Sequence, residues 1–423
     1  MNYYFILGRE NKISQKELLG VLAGFDFGFS LDSIFILSEH ILEIKLTAAG
    51  PEVARLIERL GGTVKIYQKI APKEAKLADL LRSENISKKI IFAISNYSDE
   101  ALDTFRVALT AKKSLKIPLR IIAGKEDGRL SSAQLFQYKM ADNIEYGLFE
   151  SGWAKLIAVQ NIDEWTRHDY GKPKSDAKSG MLPPKLARMM VNIAIGQASI
   201  ENKEYSSEYI KLNSKYSILN SQRPMVVDPF CGSGNVLIEA LAIECDVIGS
   251  DMSEKAVSDT RENLAWFIET VIPTPFDKLR AGSVEGSSKR FLDYARNDIQ
   301  VADATKFDFG GVGSDFIVVT EPFLGLPRNS KLRLEEEAAA KNEISKLYLD
   351  FLRNLKLTAD NKKLKAICIV FPLFELANGK KLSIYNECVD TISQIGYTSV
   401  CPPLEYGRDY QVVKRQVVLL QLT

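Results

Sequence analysis

The segment Val226-Val227-Asp228-Pro229-Phe230-Cys231-Gly232-Ser233-Gly234-Asn235-Val236-Leu237-Ile238-Glu239 constrains this chain more than any other. An apolar strand ends in an acid, a glycine-rich turn follows, and a helix opens at once. Glycines in such a turn let the backbone bend tightly and approach a ligand closely, while the helix N-terminus offers free N–H groups to an anion. It is not a Walker loop, because no Gly-Lys-Ser/Thr follows, and it is not GxGxxG. A second acid, Asp251, closes Val247-Ile248-Gly249-Ser250-Asp251, where a carboxylate can accept bonds from both hydroxyls of a ribose. A third, Asp303, follows the strand expected at Ile299 to Val301. Singly, an Asp at a strand end is a turn former or a helix cap. As an ordered set around the glycine turn, the three line the carboxyl ends of neighbouring strands and predict a nucleoside site.

The surrounding pattern agrees with an open α/β sheet. From Met225 onward, strands are expected at Met225 to Asp228, Asp246 to Ser250, Ile299 to Val301, Asp315 to Thr320, Lys365 to Phe371, Thr398 to Cys401 and Gln411 to Leu420, separated by helices. A helix is expected from Pro184 to about Gly196, since Pro suits a first turn. Pro273 to Arg296 is polar and turn-rich and reads as a surface insertion. The N-terminal 150 or so residues alternate shorter strands and helices: strands at Tyr3 to Leu7, Ser33 to Leu37, Ile41 to Leu46, Thr63 to Ile70, Lys89 to Ile94, Leu119 to Ile122 and Leu156 to Gln160. Helices are expected at Ser14 to Gly24, where Ser14 and Glu17 are spaced as a capping box, and at Pro51 to Leu60, Ala75 to Leu81 and Asp99 to Ala111. Trp165 to Pro184 carries glycines and prolines without hydrophobic periodicity, and reads as an irregular connector. The domain expectation is 1–155 as N-terminal material, 156–183 as linker and 184–423 as the sheet domain.

Composition narrows the chemistry. The chain has 423 residues, of which 46% are hydrophobic and 26% charged, as in globular proteins. Lys and Arg number 55 against 54 Asp and Glu, a net charge of +1, so a polyanion would have to be held by local patches. Candidate patches are Trp165 to Arg188, with Arg167, Lys172, Lys174, Lys178, Lys185 and Arg188 against Asp169 and Asp176, and Ala111 to Arg129, with Lys112, Lys113, Lys116, Arg120, Lys125 and Arg129 against Glu126 and Asp127. Solvated faces explain both stretches nearly as well. Two histidines, His40 and His168, rule out a multi-histidine metal cage and argue against Ser-His or Cys-His catalysis; no metal is expected. His168 reads as a surface linker histidine. The five cysteines are scattered without CxxC, which suits reduced thiols, and Cys231 reads as a small turn filler. With no signal-peptide pattern and no apolar run long enough for a bilayer, the expectation is a cytoplasmic protein without a membrane partner.

Asp228-Pro229-Phe230-Cys231-Gly232-Ser233-Gly234 with Glu239 resembles motif I of class I S-adenosylmethionine-dependent methyltransferases, and more narrowly the THUMP-associated RNA methyltransferases. Tyr170-Gly171-Lys172-Pro173, followed by Gly180-Met181-Leu182-Pro183-Pro184-Lys185-Leu186-Ala187, is similar to the lead-in of tRNA guanine-N2 methyltransferases acting at position 10. The resemblance runs from Tyr170 to Asp251. It implies a Rossmann-like domain with a seven-stranded, mostly parallel sheet, preceded by an α+β region with a THUMP-like RNA-binding domain that grips tRNA. It also implies S-adenosyl-L-methionine as cofactor, with Asp228, Gly232 and Gly234 around the methionine part, Asp251 at the ribose and Asp303 at the adenine, and with Phe230, Met252, Ala304, Leu182 and Pro183 as further cofactor-binding residues.

Amino-methyltransferases carry Asp/Asn-Pro-Pro-aromatic after the fourth strand. Here that position reads Thr320-Glu321-Pro322-Phe323-Leu324-Gly325. Glu is one methylene longer than Asp, the second proline is Phe323 and the aromatic slot holds Leu324. A guanine exocyclic amine is a poor nucleophile because its lone pair is delocalised, and acceptors for its N–H groups localise that pair and align it. Glu321 and the carbonyl of Pro322 are therefore the expected acceptors, and Phe323 the expected face for an unstacked base. The function expected is methylation of the N2 amine of a guanosine in tRNA. A DNA amino-methyltransferase acting on adenine N6 or cytosine N4, or a non-catalytic RNA-binding relative, would share the fold.

Overall fold

A computed structural model describes the chain apart from residues 25–32, 85, 116, 125–127, 176–180, 202–222, 271–297 and 409. The expected insertion at 273–296 and Gly180 of the lead-in lie outside the described residues. The described chain divides into two compact units, 1–18 with 26–165, and 19–25 with 166–423.

In the first unit, β1 (Asn2–Leu7), β2 (Ile34–Ser38), β3 (Ile41–Lys45), β4 (Thr63–Ala71), β5 (Ile90–Asn96), β6 (Leu119–Ala123), β7 (Ile144–Phe149) and β8 (Gly152–Val159) form one sheet in the order β2-β3-β1-β4-β8-β7-β5-β6. The pairings are antiparallel except β5 with β6 and β5 with β7. Helices α1 (Asn11–Gly24), α2 (Gly50–Ala54), α3 (Leu56–Arg59), α4 (Leu77–Ser83), α5 (Thr104–Leu115) and α6 (Ser132–Gln137) intervene. Strand β7 and helix α6 escaped the sequence reading. Strand β7 points Glu145 into the interior, where its Oε1 accepts from Lys65 Nζ (3.1 Å), Tyr67 OH (2.8 Å) and Ser95 Oγ (2.5 Å).

In the second unit, β9 (Met225–Asp228), β10 (Asp246–Asp251), β11 (Ile299–Val301), β12 (Phe316–Thr320), β13 (Leu364–Glu375), β14 (Lys381–Ser383), β15 (Tyr397–Ser399), β16 (Leu404–Tyr406) and β17 (Val413–Leu422) make one sheet. Its main path runs β11-β10-β9-β12-β13-β17-β15, with β14 on β13 and β16 on β17. The pairs from β11 to β13 are parallel, and β17 is antiparallel to both its path neighbours. The sheet therefore has nine strands where seven were expected; the two added ones, β14 and β16, are three residues long and carry no readable alternation. Its helices are α7 (Ile162–Tyr170), α8 (Pro184–Glu201), α9 (Asn235–Ala242), α10 (Glu254–Thr270), α11 (Leu334–Thr358) and α12 (Ile384–Ile395). Phe309, Phe316, Tyr348, Phe351 and Phe371 centre the core on the side of α11, where the Tyr348 hydroxyl donates to the Val370 carbonyl at 3.0 Å. No described helix is long and apolar enough to cross a membrane.

The expected linker at 156–183 is corrected by this arrangement. It contains the end of β8 and all of α7, and His168 on α7 is 2% exposed rather than a surface histidine. Its Nδ1 lies 2.7 Å from Glu239 Oε1 on α9, while Arg188 of α8 donates to Glu239 Oε2 from Nε at 2.8 Å. Burial alone would raise the Glu239 carboxyl, but Arg188 and His168 hold it below the usual range. A carboxyl with a lowered folded pKa stabilises above its unfolded pKa, and that contribution is lost as pH falls through the folded value. Arg188→Met leaves Glu239 buried without its main counter-charge and should destabilise by about 3–5 kcal/mol at pH 7. Urea unfolding of the full chain should show this loss, and it should shrink below pH 4.

Candidate functional site

The parallel register brings the expected site residues together. Gly249 of β10 pairs with Asp228 of β9, Asp251 pairs with Val301 of β11, and Val318 of β12 pairs with Val227. Asp228, Asp251, Asp303 and Glu321 thus stand at or just past the carboxyl ends of four adjoining strands. In open α/β sheets this edge is where ligands bind.

Asp228 is 2% exposed, and its Oδ1 accepts from the Thr320 hydroxyl at 2.6 Å and the Phe230 amide at 3.2 Å. Burial pushes its carboxyl up to about 7; those two hydrogen bonds oppose the rise, and the charges of Asp251 and Glu321 add to it. Asp251 is fixed by two backbone donors, Gly232 N–H to Oδ2 at 3.0 Å and Ser253 N–H to Oδ1 at 2.9 Å, leaving each oxygen a further acceptor position. Asp303 accepts from the Thr305 amide (2.9 Å) and hydroxyl (2.7 Å), which hold its carboxyl low. Ala304 is buried, and its carbonyl accepts from Asn354. Met252 is exposed beside Asp251, and Phe230 packs edge-on against Phe351 with ring centroids 5.3 Å apart.

The glycine turn needs its glycines. Gly232 has φ +54° and Gly234 φ +86°, both in the left-handed region. A Cβ on Gly232 would meet nothing within 4 Å, so the turn faces open space there, whereas one on Gly234 would press on Thr260 at 3.0 Å. Gly234 is the residue from which α9 starts. Cys231 is buried with its thiol 3.7 Å from the Thr260 hydroxyl, and burial pushes that thiol well up, which suits a filler.

The lead-in clasps this turn through side chains. Asn235 Nδ2 donates to the Leu182 carbonyl at 2.6 Å, and its Oδ1 accepts from Lys172. Asn263 donates to the carbonyls of Lys174 (2.9 Å) and Ser233 (2.8 Å), and its Oδ1 accepts from the Lys174 amide. Leu182 is buried; the Pro183 carbonyl accepts from the Ala187 amide at the start of α8. Lys172 and Arg188 are both buried, so they belong to this interior and not to a surface phosphate patch. Lys174 pairs with Glu262 at 3.2 Å, and Lys178 and Asp176 lie outside the described residues. Of the other stretch, Lys116, Lys125, Glu126 and Asp127 also lie outside them, while exposed Arg129 donates to the Asn96 carbonyl and sits over Tyr97.

Glu321 follows β12 directly and is gripped by Arg415 of β17, whose Nε donates to Oε1 at 2.5 Å and whose second nitrogen reaches Oε2 at 3.2 Å. The same guanidinium reaches the Met181 carbonyl at 3.4 Å. Burial raises the Glu321 carboxyl and Arg415 opposes that rise. Pro322 is buried, and Phe323 is 43% exposed at the surface next to it. Arg415, Lys172, Thr320 and Asn235 were not singled out from the sequence as site residues. Arg415 carried no distinguishing signal, lying in the polar triplet Lys414-Arg415-Gln416 ahead of the apolar run of β17. Chemically, the edge offers acceptors for a vicinal diol and a concentration of carboxyls suited to a cationic ligand.

No protein-family model matches this chain. Over 198 residues it is 23% identical to the tRNA (guanine(10)-N2)-dimethyltransferase of Methanothermobacter thermautotrophicus, covering 44% of this chain and 52% of that protein. Over 163 residues it is 25% identical to a Methanothermococcus thermolithotrophicus protein named "Probable tRNA (guanine(10)-N2)-dimethyltransferase", covering 38% of this chain and 85% of that one. The matching stretch spans about half the length of the first of these relatives. Among solved structures, one described as a possible methylase from Clostridium difficile 630 aligns over 100% of this chain and 99% of its own, with a TM-score of 0.43 and 14% identity.

Asp228 yields a test of the electrostatics. Its folded pKa lies above the unfolded value, so the ionised form is disfavoured in the fold and stability falls as pH rises from about 4 to about 7. Asp228→Asn keeps an oxygen for Thr320 and Phe230 and removes the titration. The ligand-free variant should match wild type below pH 4 and exceed it at pH 8 by up to about 4 kcal/mol, measured by urea unfolding across that range.

Proposed function

We propose that this chain is an S-adenosyl-L-methionine-dependent RNA methyltransferase that acts on the exocyclic N2 amine of a guanosine in tRNA. The observation that carries the reading is the acidic strand edge: Asp228, Asp251, Asp303 and Glu321 on four adjoining strands around an open glycine turn. The names of the two curated relatives support the substrate class.

The residues fit the cofactor. Asp251, oriented by two backbone N–H groups, accepts from the ribose diol with Met252 beside it, and Asp303 with Ala304 takes the adenine end. The buried carboxyl of Asp228 complements the positive charge of the methionine part, with Phe230, Gly232 and Gly234 shaping the turn and Leu182 and Pro183 closing the lead-in side. The cofactor supplies an electrophilic methyl group. Glu321 and the Pro322 carbonyl accept from the two N–H groups of the target amine, which localises its lone pair and holds it in line. Arg415 keeps the Glu321 carboxylate fixed on both oxygens, so its acceptor direction is set before substrate arrives. Phe323 receives the face of the unstacked base. The first unit, with Lys112, Lys113, Arg120 and Arg129, is the RNA-binding, THUMP-like part, and the protein works in the cytoplasm without a metal.

A second reading, a non-catalytic RNA-binding relative, is favoured by one observation: Arg415 already occupies the side chain assigned to the target amine. Methyl transfer from labelled cofactor to unmodified tRNA and to duplex DNA separates these readings from a DNA enzyme, and nucleoside mass spectrometry of the tRNA product identifies the base. Transfer to tRNA guanosine is expected. Single-turnover rates should fall in the order wild type, Glu321→Gln, Glu321→Ala with cofactor binding nearly intact; equal rates remove Glu321 from the mechanism, and no transfer in any favours the second reading. Asp251→Ala should weaken cofactor binding by about 1.5–3 kcal/mol for each of two charge-assisted bonds lost, read by calorimetry.

A further inference from the structure

Three tyrosines gather around Arg408 at the carboxyl edge of the second sheet. Strand β17 runs antiparallel to β13, with Val413 opposite Phe374, and the Glu375 amide donates to the Val412 carbonyl at 2.9 Å. The connection from β16 to β17 therefore lies on the edge where β9, β10, β12 and β13 end. Gln411 holds it in shape: its Oε1 accepts from the Arg408 amide at 2.7 Å, and its own amide donates to the Arg408 carbonyl at 2.9 Å. The Arg408 side chain is exposed, donates to the Tyr410 hydroxyl and lies 5.6 Å from the centroid of that ring. Among the described residues no carboxylate forms an ion pair with it. Tyr410 is 71% exposed, and Tyr170 at the end of α7 is 81% exposed. The Tyr410 hydroxyl raises the guanidinium above its ordinary range, and Tyr406 and Tyr170 add to the rise, so all three lie within electrostatic reach of it.

The cluster adjoins the segment assigned to the target amine. Tyr406 pairs across the ladder with Arg415, so the two side chains share a face of the sheet, and Arg415 grips both oxygens of Glu321. A lone tyrosine on a surface needs no explanation. Here flat, exposed rings are grouped with a guanidinium that no carboxylate neutralises, and a ligand suited to both carries anions joined to flat faces. A nucleotide strand has that chemistry: any base can stack on an aromatic ring, and a guanidinium takes phosphate oxygens in a fork. A base that leaves its stack to reach Glu321 and Phe323 brings its neighbours to the same edge, because consecutive nucleotides are tied through one phosphate.

We infer that Tyr170, Tyr406, Arg408 and Tyr410 form the surface that holds the single-stranded nucleotides next to the target guanosine, with Tyr170 and Tyr410 stacking on bases and Arg408 taking a phosphate. This rests on the reading of the chain as a tRNA methyltransferase, and the test separates the two. Binding of the full chain to an unmodified tRNA transcript would be titrated by fluorescence anisotropy over a range of salt, with methyl transfer to the same transcript measured alongside. Arg408→Ala should weaken binding about tenfold and flatten the slope of log affinity against log salt by about 0.7–1, whereas Arg408→Lys should keep the slope. Tyr410→Ala should weaken binding about tenfold with the slope unchanged, and Tyr410→Phe, which keeps the ring, should recover most of the loss. Calorimetric affinity for S-adenosylmethionine should stay within about twofold in every variant. Unchanged tRNA affinity in both alanine variants overturns the inference and leaves the surface to a protein partner, while methyl transfer by wild type keeps the functional reading standing. If wild type neither binds nor methylates the transcript, the functional reading falls and the inference with it. Should a variant not fold, ultraviolet crosslinking of wild type to the transcript decides: crosslinks on the peptides carrying Tyr170 and Tyr410 are expected, and their absence overturns the inference.

Discussion

Like charges gathered at one sheet edge are the constraint around which the second unit is arranged. The parallel register of β9 with β10 and β12 fixes where their ends lie, and each strand ends in or beside an acid. Each carboxyl is then managed by a different device. Asp251 takes two backbone N–H groups, Asp303 takes Thr305 and the Lys306 ammonium, and Glu321 takes Arg415. Asp228 receives only a hydroxyl and one amide, and it is the deepest of the four; its proton affinity rises accordingly. The uncompensated carboxyl is therefore the one nearest the centre of the edge, where a cationic ligand gains most from it.

Much of this was legible in the sequence because it rests on apolar runs and on acids at their ends. Met225–Asp228, Ile299–Val301 and the span of β12 were readable to within a residue or so, as was the turn at Gly232 and Gly234, where positive φ explains the residue type. Beyond the short strands β14 and β16, much of what escaped reading has one cause: interior positions filled by polar residues. Helix α7 buries His168, β7 buries Glu145, and β17, itself expected as a strand, buries an unforeseen Arg415 against Glu321. Pattern reading treats such residues as surface, since a buried charge is tolerated only with a partner, and the partners lie far away in sequence. The same blindness placed Lys172 and Arg188 in a phosphate patch when both belong to the interior.

These buried polar pairs also decide how the lead-in meets the glycine turn. Apolar packing is non-directional and would allow α7 and the irregular lead-in to slide against α9 and α10. The contacts actually present are directional: His168 and Arg188 on Glu239, Asn235 on Leu182, Asn263 on Lys174 and Ser233. Glu239 and Asn235 are four residues apart and share one face of α9, so a single helical face holds both α7 and the lead-in in register.

Arg415 extends that register to the far side of the site. Its guanidinium reaches the Met181 carbonyl in the lead-in and both oxygens of Glu321 after β12. The neighbouring residue Leu182 is bound to Asn235 at the start of α9. Two consecutive lead-in carbonyls thus connect the glycine turn to the segment Glu321-Pro322-Phe323. A shift of the lead-in by one residue would break both connections at once, because backbone carbonyls alternate in direction. The wall beside the acidic strand edge and the wall beside Glu321-Pro322-Phe323 are, in this chain, one piece of backbone. Alignment of the two halves of the site therefore follows from the folding of the lead-in rather than from the sheet alone.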